Sequence, residues 1–134
     1  MKKRFILYVI SAFLLILAIT ACIWYFSPKT FLKNVDASDV SKISVFNGSS
    51  GKSFTIENAD EIKYIVENIQ GIKMKRGKIS SNYDGFCFSL AFKDENGEMI
   101  DSFIINSADT IRDDPYFYTC DGKLCFDYLK SLEK

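Results

Sequence analysis

Phe5 to Phe26 is a run of twenty-two residues without a charged side chain. As a helix rising about 1.5 Å per residue it would be roughly 33 Å long, enough to cross a hydrocarbon core of about 30 Å. Lys2, Lys3 and Arg4 precede the run, and Trp24, Tyr25, Phe26 and Pro28 close it. Basic residues are retained on the cytoplasmic side, and amphipathic rings collect at the membrane interface. The sequence therefore predicts a cytoplasmic head at residues 1–4, a signal anchor at 5–26, a stalk at 27–41 and an extracytoplasmic domain at 42–134. The expected location is the plasma membrane, crossed once.

The same residues carry a second reading. Ile19-Thr20-Ala21-Cys22 has the form of a lipoprotein cleavage box, which would make Cys22 the lipidated first residue of a mature chain. The apolar run continues through Ile23 to Phe26 and is longer than a signal-peptide core usually is, so an uncleaved anchor is the favoured expectation.

Beyond Pro28 lie all seventeen acidic residues against fourteen of the seventeen basic ones, a balance of about minus three. That is too mild to call for nucleic acid as partner. Residues 35–134 suffice for one hydrophobic core and are too few for two. Fourteen of the twenty aromatic residues fall after Pro28, which favours a packed domain over a disordered tail.

Ile43 and Val45, the turn Asn47-Gly48-Ser49-Ser50-Gly51, and Phe54 and Ile56 predict a hairpin. Gly48 to Ser53 ends in the Gly-Lys-Ser of a phosphate-binding loop. Phe46 stands where the first glycine of that motif belongs, and a strand rather than a helix follows, so a nucleotide site is not supported. Asn58 then suits a helix N-cap, with Asp60 and Glu61 in the first turn. Ile62, Ile65, Val66 and Ile69 form one stripe, and Gly71 is expected to supply a left-handed stop.

Ile72 to Ile79 reads as a strand with basic Lys73, Lys75, Arg76 and Lys78. Such charges could meet anionic wall polymer or lipid headgroups. The simpler reading, that they blunt an exposed edge, is preferred because the domain as a whole is not basic. Gly85 to Lys93 alternates Phe86, Phe88, Leu90 and Phe92 with small residues, and Asp94 to Glu98 turns the chain into a strand at 99–106. A calcium loop at that turn lacks the spacing of oxygen ligands. Ser107 to Pro115 reads as a polar loop, Tyr116 to Cys120 as a last strand, and a closing helix from about Asp121–Lys123 to Lys134 places Cys125, Tyr128, Leu129 and Leu132 on one side. The expected fold is α+β, a single mostly antiparallel sheet with two helices in the order β-β-α-β-β-β-β-α, after the anchor.

Histidine is absent. Serine or cysteine catalysis through a histidine base and zinc sites built on imidazole are thereby excluded. Asp84, Asp109, Asp113 and Asp114 remain as carboxylates for acid–base work, but aspartates in loops most often form turns. No catalytic, cofactor or metal residue is assigned, and an enzyme is not expected. Cys120 and Cys125 flank Asp121-Gly122, a spacing that admits a disulfide if a turn brings their Cα atoms within about 4.4–6.8 Å; free thiols are the alternative. Cys87 reads as core filler.

Ile-Ser-Val-Phe-Asn-Gly at 43–48, Phe54-Thr55-Ile56, Asp60 to Lys63, and Phe88 to Gly97, behind a basic start and one apolar segment, resemble the small membrane-anchored or lipoprotein domains of unknown function of Gram-positive, Clostridium-like bacteria. The resemblance implies a cell-envelope role and brings no catalytic residue with it. The expectation is thus a non-enzymatic, membrane-tethered binding module whose partner is an envelope protein or ligand. Its contact area would be the sheet face or the segment Asp109 to Tyr118, with Arg112, Tyr116 and Tyr118. The alternative is an accessory or sensor subunit of a membrane complex, pairing through the anchor helix.

Overall fold

The computed structural model describes all residues, Met1–Lys134. The elements are helix α1 (Lys2–Phe26), strands β1 (Lys42–Asn47) and β2 (Lys52–Ile56), helix α2 (Ala59–Gln70), strands β3 (Lys75–Ile79), β4 (Phe88–Lys93), β5 (Met99–Ser107), β6 (Thr110–Asp113) and β7 (Tyr116–Thr119), and helix α3 (Phe126–Leu132). The α+β class and the single antiparallel sheet agree with the sequence. The strand count does not, because the sheet has seven strands and the polar segment 107–115 contributes β6. Ile111 is its one buried side chain, so no alternating pattern marks it; pairing with β5 on one side and β7 on the other makes it a strand.

The order across the sheet is β2-β1-β4-β5-β6-β7-β3. β2 and β3 occupy opposite edges, and α2 joins them. Its stripe of Ile62, Ile65, Val66 and Ile69 is buried. Register aligns the sheet's apolar face beneath it, with Val45 opposite Leu90, Leu90 opposite Phe103, Phe88 opposite Ile105, and Ile105 opposite Ile111. Leu129 of α3 joins the same core. Each such fully buried aliphatic side chain contributes about 1.5–3 kcal/mol.

Local chemistry sets the boundaries. Asn58 Oδ1 accepts from the Asp60 and Glu61 amides at 2.9 and 3.1 Å, which starts α2. Gly71 is not left-handed: its φ of −73° and ψ of −6° keep it helical, and its N–H donates to Glu67 O. The left-handed turn glycines are Gly51 and Gly97, at φ 74° and 78°. At the latter turn Asp94 Oδ1 accepts from the Asn96 and Glu98 amides, so that carboxylate is used in shaping the hairpin. α3 is shorter than the sequence suggests, beginning after Cys125.

The segment expected to be a stalk is part of the domain. Phe31, Leu32 and Val40 are buried in the main core. Gln70 Nε2 donates to Leu32 O at 2.7 Å and to Val35 O at 2.5 Å, tying the segment to the end of α2. Leu32 adopts φ 57°, a left-handed conformation that costs a leucine roughly 1–2 kcal/mol, offset here by burial of its side chain and bonding of its carbonyl.

Candidate functional site

The densest cluster of charged and aromatic groups lies where the apolar helix meets the sheet. α1 carries no buried residue along its length. Only its last turn engages the rest of the chain, through Arg76 on β3 and Tyr116 on β7. The Arg76 guanidinium carbon sits 4.3 Å from the Trp24 ring centroid, 5.3 Å from Tyr25, 5.0 Å from Tyr116 and 5.9 Å from Tyr118. Its Nη1 donates to Tyr25 O at 3.2 Å and, at the limit of hydrogen-bonding distance, to Trp24 O at 3.5 Å. A helix ends with unpaired carbonyls and a partial negative charge, so a guanidinium placed there satisfies both needs.

Three residues past the helix, Lys29 completes the junction. Its backbone exchanges two 2.8 Å hydrogen bonds with Met74, just ahead of β3. Its ammonium lies 2.6 Å from Asp113 Oδ2 and 4.4 Å from the Phe31 ring centroid. Both partners of the ion pair are more than one-third exposed, so the charge contributes little alone; the backbone pairing and ring contact fix the geometry. Trp24, Ser27, Lys29, Arg76, Asp113 and Tyr116 are among the residues lining a cleft of about 500 Å³ here.

The contact residues read from the sequence are placed otherwise. Tyr118 is buried, stacked edge-on against Phe31 at 5.3 Å, and belongs to the core. Arg112 is held by Asp114 at 2.8 Å and by the Tyr83 carbonyl, leaving its side chain only 12% exposed. Tyr116 packs against Tyr25 and Arg76. Arg112 and Tyr118 are therefore structural, and Tyr116 serves the junction. Tyr116 and Tyr118 lie on a strand as the sequence expects, but β6 and β3 flank it, so β7 is an inner strand of the sheet.

The remaining candidates do not converge. Asp109 accepts from Ser107 and Thr110, which lowers its carboxyl below the usual range. Asp114 is lowered by hydrogen bonds from Arg112 and then Ser80, while Asp113 pairs with Lys29. Asp84 is exposed. Burial raises Asp101, opposed by its bond from the Ser102 amide. No three cysteine or carboxylate side chains are grouped to hold a metal ion. Cys120 and Cys125 are separate free thiols rather than a disulfide: Cys120 Sγ is 3.5 Å from Gly122 O, and Cys125 is turned into the core, where burial pushes its pKa to about 12. Cys22 is exposed on α1.

The loop with Gly-Lys-Ser is a hairpin turn occupied by this chain's own C-terminus. Glu133 accepts from Asn47 Nδ2 at 2.6 Å and from Ser50 Oγ at 2.5 Å, and Lys52 Nζ donates to Lys134 O at 3.1 Å.

No protein-family model, curated protein or solved structure matches the chain significantly. The sequence missed the junction because Lys29 and Arg76, forty-seven residues apart, looked like a stalk charge and an edge charge. Phe31 and Leu32, adjacent apolar residues in an otherwise polar stretch, were the available signal that this stretch packs.

Proposed function

We propose that the chain is a membrane-tethered binding module of the cell envelope, not an enzyme, with its N-terminus in the cytoplasm and its α+β domain outside. The carrying observation is that α1, twenty-five residues of mean hydropathy 2.8 over its most apolar window, has no buried residue and is left uncovered by the rest of the chain except at its last turn. A bilayer is the solvent that would cover it. Lys2, Lys3 and Arg4 support the cytoplasmic start. The helix continues unbroken through Cys22 to Phe26, which favours an uncleaved anchor over lipidation at Cys22.

The binding surface in this reading is the sheet face turned away from α2 and α3. There Ser44, Phe46, Ser53, Thr55, Ser89 and Ala91 line a shallow depression of about 530 Å³, with Phe46 40% exposed. Small and hydroxyl side chains let a partner backbone approach closely, and one aromatic offers an anchor. The fixed junction of α1 with the sheet favours a second reading, an accessory subunit whose helix pairs within a membrane complex.

A C-terminal tag on intact cells should be removed by added protease while a cytosolic marker survives; a protected tag would refute the orientation. With a photocrosslinking amino acid at Phe46, the binding reading expects one discrete adduct that is absent with the probe at Tyr64 on α2. Adducts from α1 positions alone would favour the accessory subunit.

A further inference from the structure

The junction also places the basic edge strand. Trp24 is two residues from the end of α1, so its ring lies about 3 Å of helix rise inside that end. If α1 spans the bilayer, as the proposed function holds and this inference requires, that level is the interface: the polar zone on each side of the hydrocarbon is only about 5–8 Å deep. Arg76 is bound to the same helical turn. β3 therefore cannot stand clear of the headgroups.

What β3 offers at that level is matched to a lipid surface. Ile79 pairs with Tyr116 and so shares its sheet face, the face on which Tyr116 meets Tyr25 at 6.4 Å. Ile79 is nevertheless 60% exposed, an aliphatic side chain beside the aromatic end of the helix. The strand and the residue two before it carry Lys73, Lys75, Arg76 and Lys78, the last with its ammonium over the Tyr83 and Phe117 rings. Lys75 reaches Asp121 at 3.6 Å in an exposed pair, and Lys78 bonds the Tyr83 hydroxyl at 2.7 Å, an uncharged partner. Arg76 spends Nη1 on the helix carbonyls and makes no hydrogen bond within the chain through Nη2, so the protein does not exhaust its donors.

We propose that β3 is an interfacial element that binds the phosphate groups of anionic phospholipids in the bilayer holding α1, with Ile79 entering the acyl boundary and Lys75, Arg76 and Lys78 facing the headgroups. The domain then lies on the membrane along this edge. Each cation near an anionic leaflet adds attraction that decays within a Debye length, so contact is needed. The edge strand is at the same time hidden from other chains.

The test uses the full chain in vesicles whose acyl chains are brominated near the headgroup. Trp24 is the sole tryptophan, so wild-type protein reports on the anchor. In a Trp24→Phe background, Ile79→Trp is compared with Tyr64→Trp on exposed α2. The expected result is quenching of the Ile79→Trp indole about twofold or more above the Tyr64→Trp control, stronger when phosphatidylglycerol replaces part of the phosphatidylcholine. Adding Lys75→Gln and Lys78→Gln should remove the anionic-lipid increment. Equal quenching of the two probes while wild-type Trp24 is quenched would overturn the proposal and leave the anchor intact. Unquenched Trp24 would overturn the anchor reading itself. A lysine-dependent spectral change with soluble polyphosphate on phosphatidylcholine vesicles, matched by none with anionic lipid, would overturn the proposal in favour of a polymer.

Discussion

The two edges of the sheet are tied down by different chemistry. At β2, the last residues of the chain fold back and Glu133 and Lys134 bond to the buried Asn47 and to exposed Ser50 and Lys52 through polar contacts. At β3, a guanidinium sits among four aromatic rings, a backbone bridge joins Lys29 to Met74, and Phe31 is buried behind them. Both arrangements fix one end of an edge strand to a segment distant in the chain. The first relies on hydrogen bonds that water can replace. The second adds apolar burial, and it joins the domain to the apolar helix as one piece.

The comparison breaks first at Phe31. Phe31→Ala removes a ring packed on Phe103 and Tyr118, at 4.9 and 5.3 Å, and should cost about 3–5 kcal/mol in denaturant unfolding of the micelle-solubilised chain. A cost below about 1 kcal/mol would mean that residues 27–41 behave as a tether after all. Arg76→Ala comes next, losing a cation over aromatic rings and bonds to helix-end carbonyls, and should cost about 2 kcal/mol with a shift in Trp24 emission. Asn58→Ala at the β2 end of α2 should cost about 1 kcal/mol with no change in Trp24 emission, which separates loss of helix capping from loss of the junction.

The smallest effect is expected at Glu133. Hydrogen bonds from Ser50 and then Asn47 hold its carboxyl below its ordinary value of 4.5. A depressed folded pKa means the stabilisation is present above 4.5 and is lost as pH falls through the folded value. Amide shifts of Ser50 and Lys52 should therefore step at acid pH, and Glu133→Gln should abolish the step. Glu133 lies at the opposite edge of the sheet, so Glu133→Gln should leave the amide shifts around Arg76 unchanged at every pH.

How much of this could be read in advance varies with how local each cause is. The hairpin at 47–51, the cap at Asn58, the α2 stripe and the alternation through Phe88, Leu90 and Phe92 are set by neighbours a few residues apart, and each formed as expected. β6 was illegible because one buried isoleucine among polar residues has no period; two flanking strands impose its conformation. Gly71 was misread because glycine permits a left-handed turn without requiring one. The burial of Arg112 and Tyr118 was illegible because it comes from partners far along the chain, Tyr83 and Phe31.

By itself, the amino-acid order determined an apolar helix long enough to span a bilayer, a single α+β core and the absence of histidine chemistry. The tertiary structure alone decided that Phe31, Leu32 and Val40 belong to the core, that β2 and β3 are the edges, and that Arg76 meets Trp24. Periodicity and capping act over a turn or a strand. Contacts between Lys29 and Asp113, or between Arg76 and the end of α1, arise only when the sheet closes and brings distant segments together.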